Sequence, residues 1–334
     1  MIPRPRGGTD DRMAESPITI RATTPADGEA VVGLCVALGR HEGRVPALTP
    51  ERYRANGFGR DPAFAGFIAE RAGAAVGYAI CHRDYDTDRM ERSVFLADIY
   101  VEKTARGEGL GRRLMAAVAR HGAGYRARMM FWKVLPENRI ARGFYAALGA
   151  REQPEYLWCV ALGERFRALT RRRPATGLAL ADATPADASA VARMMDRLQI
   201  DMGAARHPET LARVARDGFA MPPFFSTVLA RGGDRILGYA LYWQTHDTEL
   251  ALRGLLLSDI YVAPEARGRG IGDSLMGEVV RRAEAAGAGY LIWPVYDRNR
   301  AAREYYARIA IEEPYTVYST LEGEPFQRLL ALAP

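Results

Sequence analysis

Two stretches of this chain carry residues of the same types at the same spacing. Leu96–Gly111 (LADIYVEKTARGEGLG) and Leu257–Gly272 (LSDIYVAPEARGRGIG) agree at ten of sixteen positions, at an offset of 161 residues (257 − 96). Each runs an apolar strand with one acid, Asp98 or Asp259, into an Arg-x-x-Gly-x-Gly turn. Arg106, Gly107, Gly109 and Gly111 make the first turn; Arg267, Gly268, Gly270 and Gly272 make the second. A helix opening at such a turn presents unpaired N–H groups and a partial positive charge, which attract phosphate oxygens. Glycine removes the Cβ that would hold a ligand away, and the arginine adds charge. The chemistry implied is the gripping of a diphosphate, twice in one chain. A lone turn of this kind also arises for steric reasons only.

The elements that must position these turns repeat as well. Ala75–Ile80 (AVGYAI) matches Ile236–Leu241 (ILGYAL), and Glu137–Gly149 (ENRIARGFYAALG) matches Arg298–Ala310 (RNRAAREYYARIA), at the same offset. Each half opens with a strand and a helix, with N-cap regions expected at Thr24 and Thr184 before Pro. Apolar spacing predicts a helix with Leu110, Leu114 and Val118 on one face, and its partner with Ile271, Leu275, Val279 and Ala283. The order in each half is strand, helix, loop or second helix, strand hairpin, glycine turn, helix, strand, helix, strand. That order predicts an α+β protein of two tandem domains. We expect a tail at 1–17, domains at 18–162 and 178–334, and a basic linker at 163–177. The linker holds few Gly or Ser residues, so the halves should pack together.

Bulk properties exclude several classes. The chain has 334 residues, 48% apolar and 26% charged, ordinary values for a globular protein. No apolar run reaches the length of a membrane span, and the N-terminal residues lack a signal-peptide core. Cys35, Cys81 and Cys159 are too few for a disulfide framework and lie in apolar runs, which points to a reducing cytoplasm. The net charge of +6 comes almost wholly from arginines, Lys103 and Lys133 being the two lysines. That bias reads as the codon usage of a GC-rich bacterial genome. No element concentrates base with aromatic residues, so nucleic acid is not an expected partner. Arg165, Arg167 and Arg171 to Arg173 read as a solvated linker or short helix. The five histidines lack ligand spacing, and no metal is expected.

Beyond each turn lies Asn-x-x-Ala-x-x-aromatic-Tyr, Asn138 to Tyr145 and Asn299 to Tyr306. With this pair of motifs the chain resembles the GNAT acyl-CoA-dependent N-acetyltransferases, twice over, from Ile18 to about Leu321. The resemblance implies a mixed, mostly antiparallel twisted sheet in each half, with a splayed central parallel strand pair and flanking helices. It implies acetyl-CoA as cofactor, its pyrophosphate on the two turns. Cofactor contacts then fall on Ile99, Val101, Arg106, Gly107, Gly109, Leu110, Gly111 and Asn138. In the second half they fall on Ile260, Val262, Arg267, Gly268, Gly270, Ile271, Gly272 and Asn299. Tyr145 and Tyr306 would protonate the departing thiolate. The segments LTPERYRANGFGRDPAFAGFIAE and GYALYWQTHDT are similar to those of the diamine (spermidine/spermine and thialysine-type) acetyltransferases. That likeness assigns Asp86 and Asp247 to amine binding, and Asp98 and Asp259 to the catalytic strand acids. The neighbouring glutamate of those enzymes is replaced by Ala97 and Ser258.

The implied reaction has a clear physical demand. An amine with a pKa near 10.4 is about one part in 10³ neutral at pH 7, and only the neutral form attacks. A base must take its proton, and backbone N–H groups just after Asp98 and Asp259 are candidates to hold the carbonyl oxygen. Bland readings stay open: the tyrosines as core residues, the strand acids as bridges, the loop acids as solvated. Three functions are expected in order: acetyl transfer to a primary amine of a small polar, diamine- or polyamine-like acceptor; acetylation of a protein amine or aminoglycoside-like compound; and an acyl-CoA-binding module without turnover. Both halves should bind acetyl-CoA, the second more tightly, in a monomer with pseudo-dimeric halves or a homodimer.

Overall fold

A computed structural model describes residues 17–172, 174–313 and 317–332. The expected tail at 1–17 therefore lies outside the described residues except for its last position. The first half contains β1 (Ile18–Ala22), α1 (Gly28–Glu42), α2 (Pro50–Gly57), β2 (Ala65–Arg71), β3 (Ala74–Asp86), β4 (Glu91–Val101), α3 (Leu110–Gly124), β5 (Met129–Val134), α4 (Arg139–Leu148), β6 (Arg151–Glu152), β7 (Tyr156–Leu162) and α5 (Glu164–Thr170). The second repeats it with β8 (Ala179–Asp182), α6 (Ala188–Asp201), α7 (Thr210–Arg213), β9 (Ser226–Gly232), β10 (Arg235–Asp247), β11 (Leu252–Val262), α8 (Ile271–Ala285), β12 (Tyr290–Tyr296), α9 (Arg300–Tyr306), β13 (Ile311–Glu313), β14 (Val317–Glu322) and α10 (Gly323–Leu330). No helix among the described residues is long and apolar enough to cross a membrane.

Local chemistry explains the starts and faces of these elements. Asp27 accepts from both the backbone and the hydroxyl of Thr24, and Asp187 does the same for Thr184. These reciprocal caps satisfy donors at the entry to α1 and α6. On α3, Leu110, Leu114 and Val118 are buried against the sheet, and Ile271, Leu275, Val279 and Ala283 are buried on α8. Basic residues of the linker form α5: Arg167 and Arg171 pair with Glu164, and Arg165 donates to the Ala310 carbonyl.

The sheets do not follow the repeats. One seven-stranded sheet has the order β1-β2-β3-β4-β5-β14-β6 and the other β13-β7-β12-β11-β10-β9-β8. Among the described residues only β4–β5 and β11–β12 pair in parallel. The last long strand of each half thus inserts into the sheet of the other. β7 runs antiparallel beside β12, Leu162 opposite Tyr290 through Tyr156 opposite Tyr296. β14 does the same beside β5. Each exchanged strand brings its following helix with it, so Phe166 and Leu169 enter the second core, and Phe326 and Leu329 the first.

Between the sheets, the β3–β4 and β10–β11 hairpins pack around a pseudo-twofold axis. The Trp243 indole Nε1 donates to Asp84 at 2.9 Å, and the mate of this pair, shifted by the repeat offset, is His82–Thr245 at 3.0 Å. Likewise Tyr85 donates to Asp217 at 3.1 Å where the mates are Asn56 and His246 at 3.4 Å. This is the self-complementary geometry of a twofold interface, built inside one chain.

His82 Nδ1 faces the Arg83 carbonyl at 3.0 Å, so it carries the proton and Nε2 accepts from Thr245. Burial pushes this imidazole down to about 4. A histidine held neutral in the fold costs stability as pH falls through its unfolded value near 6.5 toward its folded one. Asparagine takes no proton, so the stability of wild type minus that of His82→Asn isolates the ring. That difference should fall by up to about 1.4 kcal/mol per pH unit between pH 6.5 and about 4. Urea midpoints measured across this range check it, and a flat difference would refute it.

Candidate active site

Each acid-bearing strand is distorted at the same place. In the β3–β4 ladder Cys81 pairs with Leu96 and Ile80 with Asp98, leaving Ala97 as an extra residue. In the β10–β11 ladder Tyr242 pairs with Leu257 and Leu241 with Asp259, leaving Ser258 extra. A bulge re-aims the side chain that follows it. Tyr78 then donates to Asp98 at 3.0 Å, and Tyr239 to Asp259 at 2.8 Å. Ser258 and Thr87 add hydroxyls to Asp259 at 3.0 and 3.1 Å. Desolvation dominates these donors and pushes Asp98 up to about 7 and Asp259 up to about 6.

From the same point the parallel strands part. β4 and β5 are paired only from Ser93–Met129 to Phe95–Phe131, and β11 and β12 only from Gly254–Tyr290 to Leu256–Ile292. Beyond, neither ladder continues, which leaves a wedge between the strands, and Ile99 and Val101, or Ile260 and Val262, pack partly buried against the cores. At its mouth stand the glycine turns. Gly107 and Gly109 have φ of +87° and +78°, and Gly268 and Gly270 both have +75°. A Cβ on Gly107, Gly109 or Gly268 would enter open space, and one on Gly270 would meet only Ala175 at 3.9 Å. These left-handed glycines leave the outer side of each turn free of side chains. Gly111 has a different reason: its Cβ would press on the Phe144 ring at 3.2 Å, so it permits close packing of α3 on α4. Leu110 and Ile271 are buried beneath the turns.

Arg106 and Arg267 brace the turns from behind. Their Nε atoms donate to the Val101 and Val262 carbonyls at 2.9 and 3.0 Å. Arg267 also pairs with Asp201 at 2.8 Å. Glu108, an acid inside the first turn, is neutralised by Arg71. Asn138 and Asn299 cap α4 and α9, their Oδ1 atoms accepting from Ala141 and Ala302 at 3.1 and 3.2 Å.

These caps aim the two tyrosines. Tyr145 is buried against Trp132, ring centres 4.6 Å apart, and burial raises its phenol well above the ordinary value. Tyr306 lies 5.2 Å from Trp293 and is raised in the same way. Asp259, Ile260, Asn299 and Tyr306 line one cleft of about 170 Å³. Its opposite wall is Asp84, Asp86, Thr87 and Asp88 from the first half, with Tyr156 and Trp158 of the exchanged β7. Asp247, in turn, lies close enough to Asp98 for its charge to help raise that carboxyl.

The loop acids therefore lie beside the strand acid of the opposite half. Asp86 lines the second-half cleft, but its oxygens accept from the Arg89 backbone and guanidinium, both at 2.7 Å. Asp247 caps Leu250 at 2.8 Å. Sequence reasoning missed Tyr78 and Tyr239, although the repeated Gly-Tyr-Ala carried them. It also missed Asp84, Thr87, Asp88 and Tyr156, because no repeat pattern tells that a wall belongs to the other copy.

An outward amide cradle, a wedge between parted strands and a tyrosine beside it fit an elongated acyl thioester with a diphosphate. The profile of the Acetyltransferase (GNAT) family matches residues 36–150 and again 191–310. Thialysine N-epsilon-acetyltransferase from Bos taurus is 32% identical over 116 residues, 32% of this chain and 68% of that protein. Aminoglycoside N(6')-acetyltransferase type 1 from Salmonella typhimurium is 36% identical over 91 residues, 26% of this chain and 63% of that protein. Among solved structures, a GCN5-related N-acetyltransferase from Sphaerobacter thermophilus superposes with a TM-score of 0.53 at 21% identity, covering 92% of this chain and 96% of the other. A tandem GNAT protein from the clavulanic acid biosynthesis pathway gives 0.52 at 17% identity, covering 92% and 98%. The chain belongs to the GNAT acetyltransferase family, in two fused copies. It is an acyl-CoA-dependent N-acetyltransferase with acetyl-CoA as its cofactor.

A methyl group at Gly109 or Gly270 strains a left-handed residue by about 1–2 kcal/mol and projects to the ligand side. Calorimetry should give two CoA sites on the wild-type chain. Gly109→Ala and Gly270→Ala should each weaken one of them by about tenfold or more, about 1.4 kcal/mol. A single site on the wild type, or unchanged affinities in the variants, would contradict the assignment.

Proposed function

We propose that this enzyme acetylates the primary amine of a small polar acceptor, diamine- or polyamine-like, by direct attack, in the reducing compartment suggested by its three free cysteines. The observation that carries the reading is the convergence of Asp259, Tyr306 and the first-half acids on one cleft beside the strand wedge. The named activities of the relatives, on thialysine, ornithine and aminoglycosides, all concern amines.

Acetyl-CoA supplies the acetyl group as an activated thioester. The chain's residues do the rest. Carboxylates in the cleft hold the incoming ammonium ion. Asp259, and Asp98 in the first half, accept the amine proton on a carboxylate oxygen. Their raised affinity for protons brings them nearer to the amine than an exposed aspartate would be. Amides following the bulges supply the donor that a carbonyl oxygen gathering charge needs; one such donor is worth about 3 kcal/mol. The Tyr145 and Tyr306 phenols, protonated across neutral pH, hold the proton for the departing sulfur. The molecule works as a monomer whose halves stand in for two subunits.

Release of free thiol from acetyl-CoA, followed with a panel of amines, tests the proposal. Diamines should give release, and Tyr145→Phe with Tyr306→Phe should cut it about 10²-fold. Release only with peptides or aminoglycosides would replace the acceptor; no release with any amine would remove the reading. A second measurement concerns the base. The amine's own titration lowers kcat/KM as pH falls, and the protonation of Asp98 below about pH 7 and of Asp259 below about pH 6 adds a further slope. Asp98→Asn with Asp259→Asn should abolish that break and lower kcat by about 10²-fold or more.

A further inference from the structure

The second-half cleft has an anion that neither the transfer step nor the fold accounts for. Asp88, at the tip of the first-half hairpin, accepts hydrogen bonds from Tyr156 at 2.8 Å, Tyr296 at 3.2 Å and Gln199 at 2.7 Å. All three donors are neutral. Among the described residues no arginine or lysine lies within ion-pair distance of this carboxylate, whereas Asp86 beside it is paired with Arg89. Neutral donors fix the position of a carboxylate without cancelling its charge. The two tyrosine rings stand 4.7 Å apart, tilted by 32°, and both line the cleft. Ring faces beside a fixed anion attract a cation, and the Tyr296 ring already holds one, the Arg298 guanidinium 4.9 Å from its centre. Asp88 also follows Thr87 directly, and Thr87 is bonded to Asp259, so the reacting acid and the free anion belong to one cleft.

Among the described residues the first-half site shows no such arrangement. The mate of Asp88 is Glu249, which is locked to Arg44 at 2.6 Å. The mate of Tyr296 is Leu135, with neither ring nor hydroxyl. We infer that Asp88, framed by Tyr156 and Tyr296, is the subsite for a second positive charge on the acceptor, so that the second-half site selects dicationic amines while the first-half site does not. This rests on the amine acceptor proposed above. The acceptor's far ammonium group would bind the Asp88 carboxylate across the tyrosine faces while its near amine meets Asp259.

The test compares 1,4-diaminobutane with butylamine as acceptors for the full-length chain, by thiol release at varied amine concentration. Asp88→Asn should lower the ratio of kcat/KM for the diamine over the monoamine by tenfold or more, through KM for the diamine. Tyr156→Phe with Tyr296→Phe keeps the charge and the rings but removes two of the three donors that hold the carboxylate, and should lower the diamine preference by less than Asp88→Asn does. Glu249→Gln should leave the ratio within twofold. An unchanged ratio in Asp88→Asn, or a loss as large in the double phenylalanine variant, overturns the subsite while leaving the acetyltransfer reading intact. A wild-type enzyme that acetylates neither amine overturns the acceptor reading itself.

Discussion

Everything in this molecule depends on the exchange of β7 and β14. A sheet that ended at β5 or β12 would leave a central strand with an unpaired edge. Each half instead gives its last long strand to cover the edge of the other, with backbone hydrogen bonds along the whole of Tyr156–Leu162 and Val317–Glu322. The helix that follows fills the partner's core. The halves are thus bound by main-chain pairing and buried apolar surface, and not by linker length. That pairing fixes the hairpins about the pseudo-twofold axis, and the hairpins place Thr87 on Asp259 and Asp247 near Asp98.

Much of the individual half was legible in the sequence. The repeat located the strands, the turns and the helices, and the left-handed glycines sit where bare amides were expected. The helix faces follow from apolar spacing because packing against a sheet needs one buried stripe. What could not be read is which copy a strand completes. β7 lies inside 18–162 and β14 inside 178–334, and alternation of side chains is the same whether a strand pairs at home or across. The same blindness hid the composition of the clefts. The role of Gly111 was also unreadable, since a glycine needed for helix packing and one needed for a ligand look alike in one sequence.

The two sites have drifted apart in charge rather than in frame. Both keep the bulge, the tyrosine on the strand acid and the capped tyrosine helix. Around them, the second cleft holds Asp84 where its mate is Thr245, with the Asp84 carboxyl pushed up to about 7 by burial. Lys133, whose mate is Pro294, pairs with Glu313, and its charge opposes the burial that raises the Asp247 carboxyl. Such changes leave the fold intact, because they lie on the hairpin tips and cleft walls and not in the sheet cores.

The first-half hairpin tip walls the second-half cleft, and Asp247 of the second-half tip stands near Asp98, so a change in one repeat's loop reaches the surroundings of the other repeat's acid. The unit that can be reshaped or transplanted as one is a cradle together with the foreign hairpin that faces it, not a contiguous half of the chain.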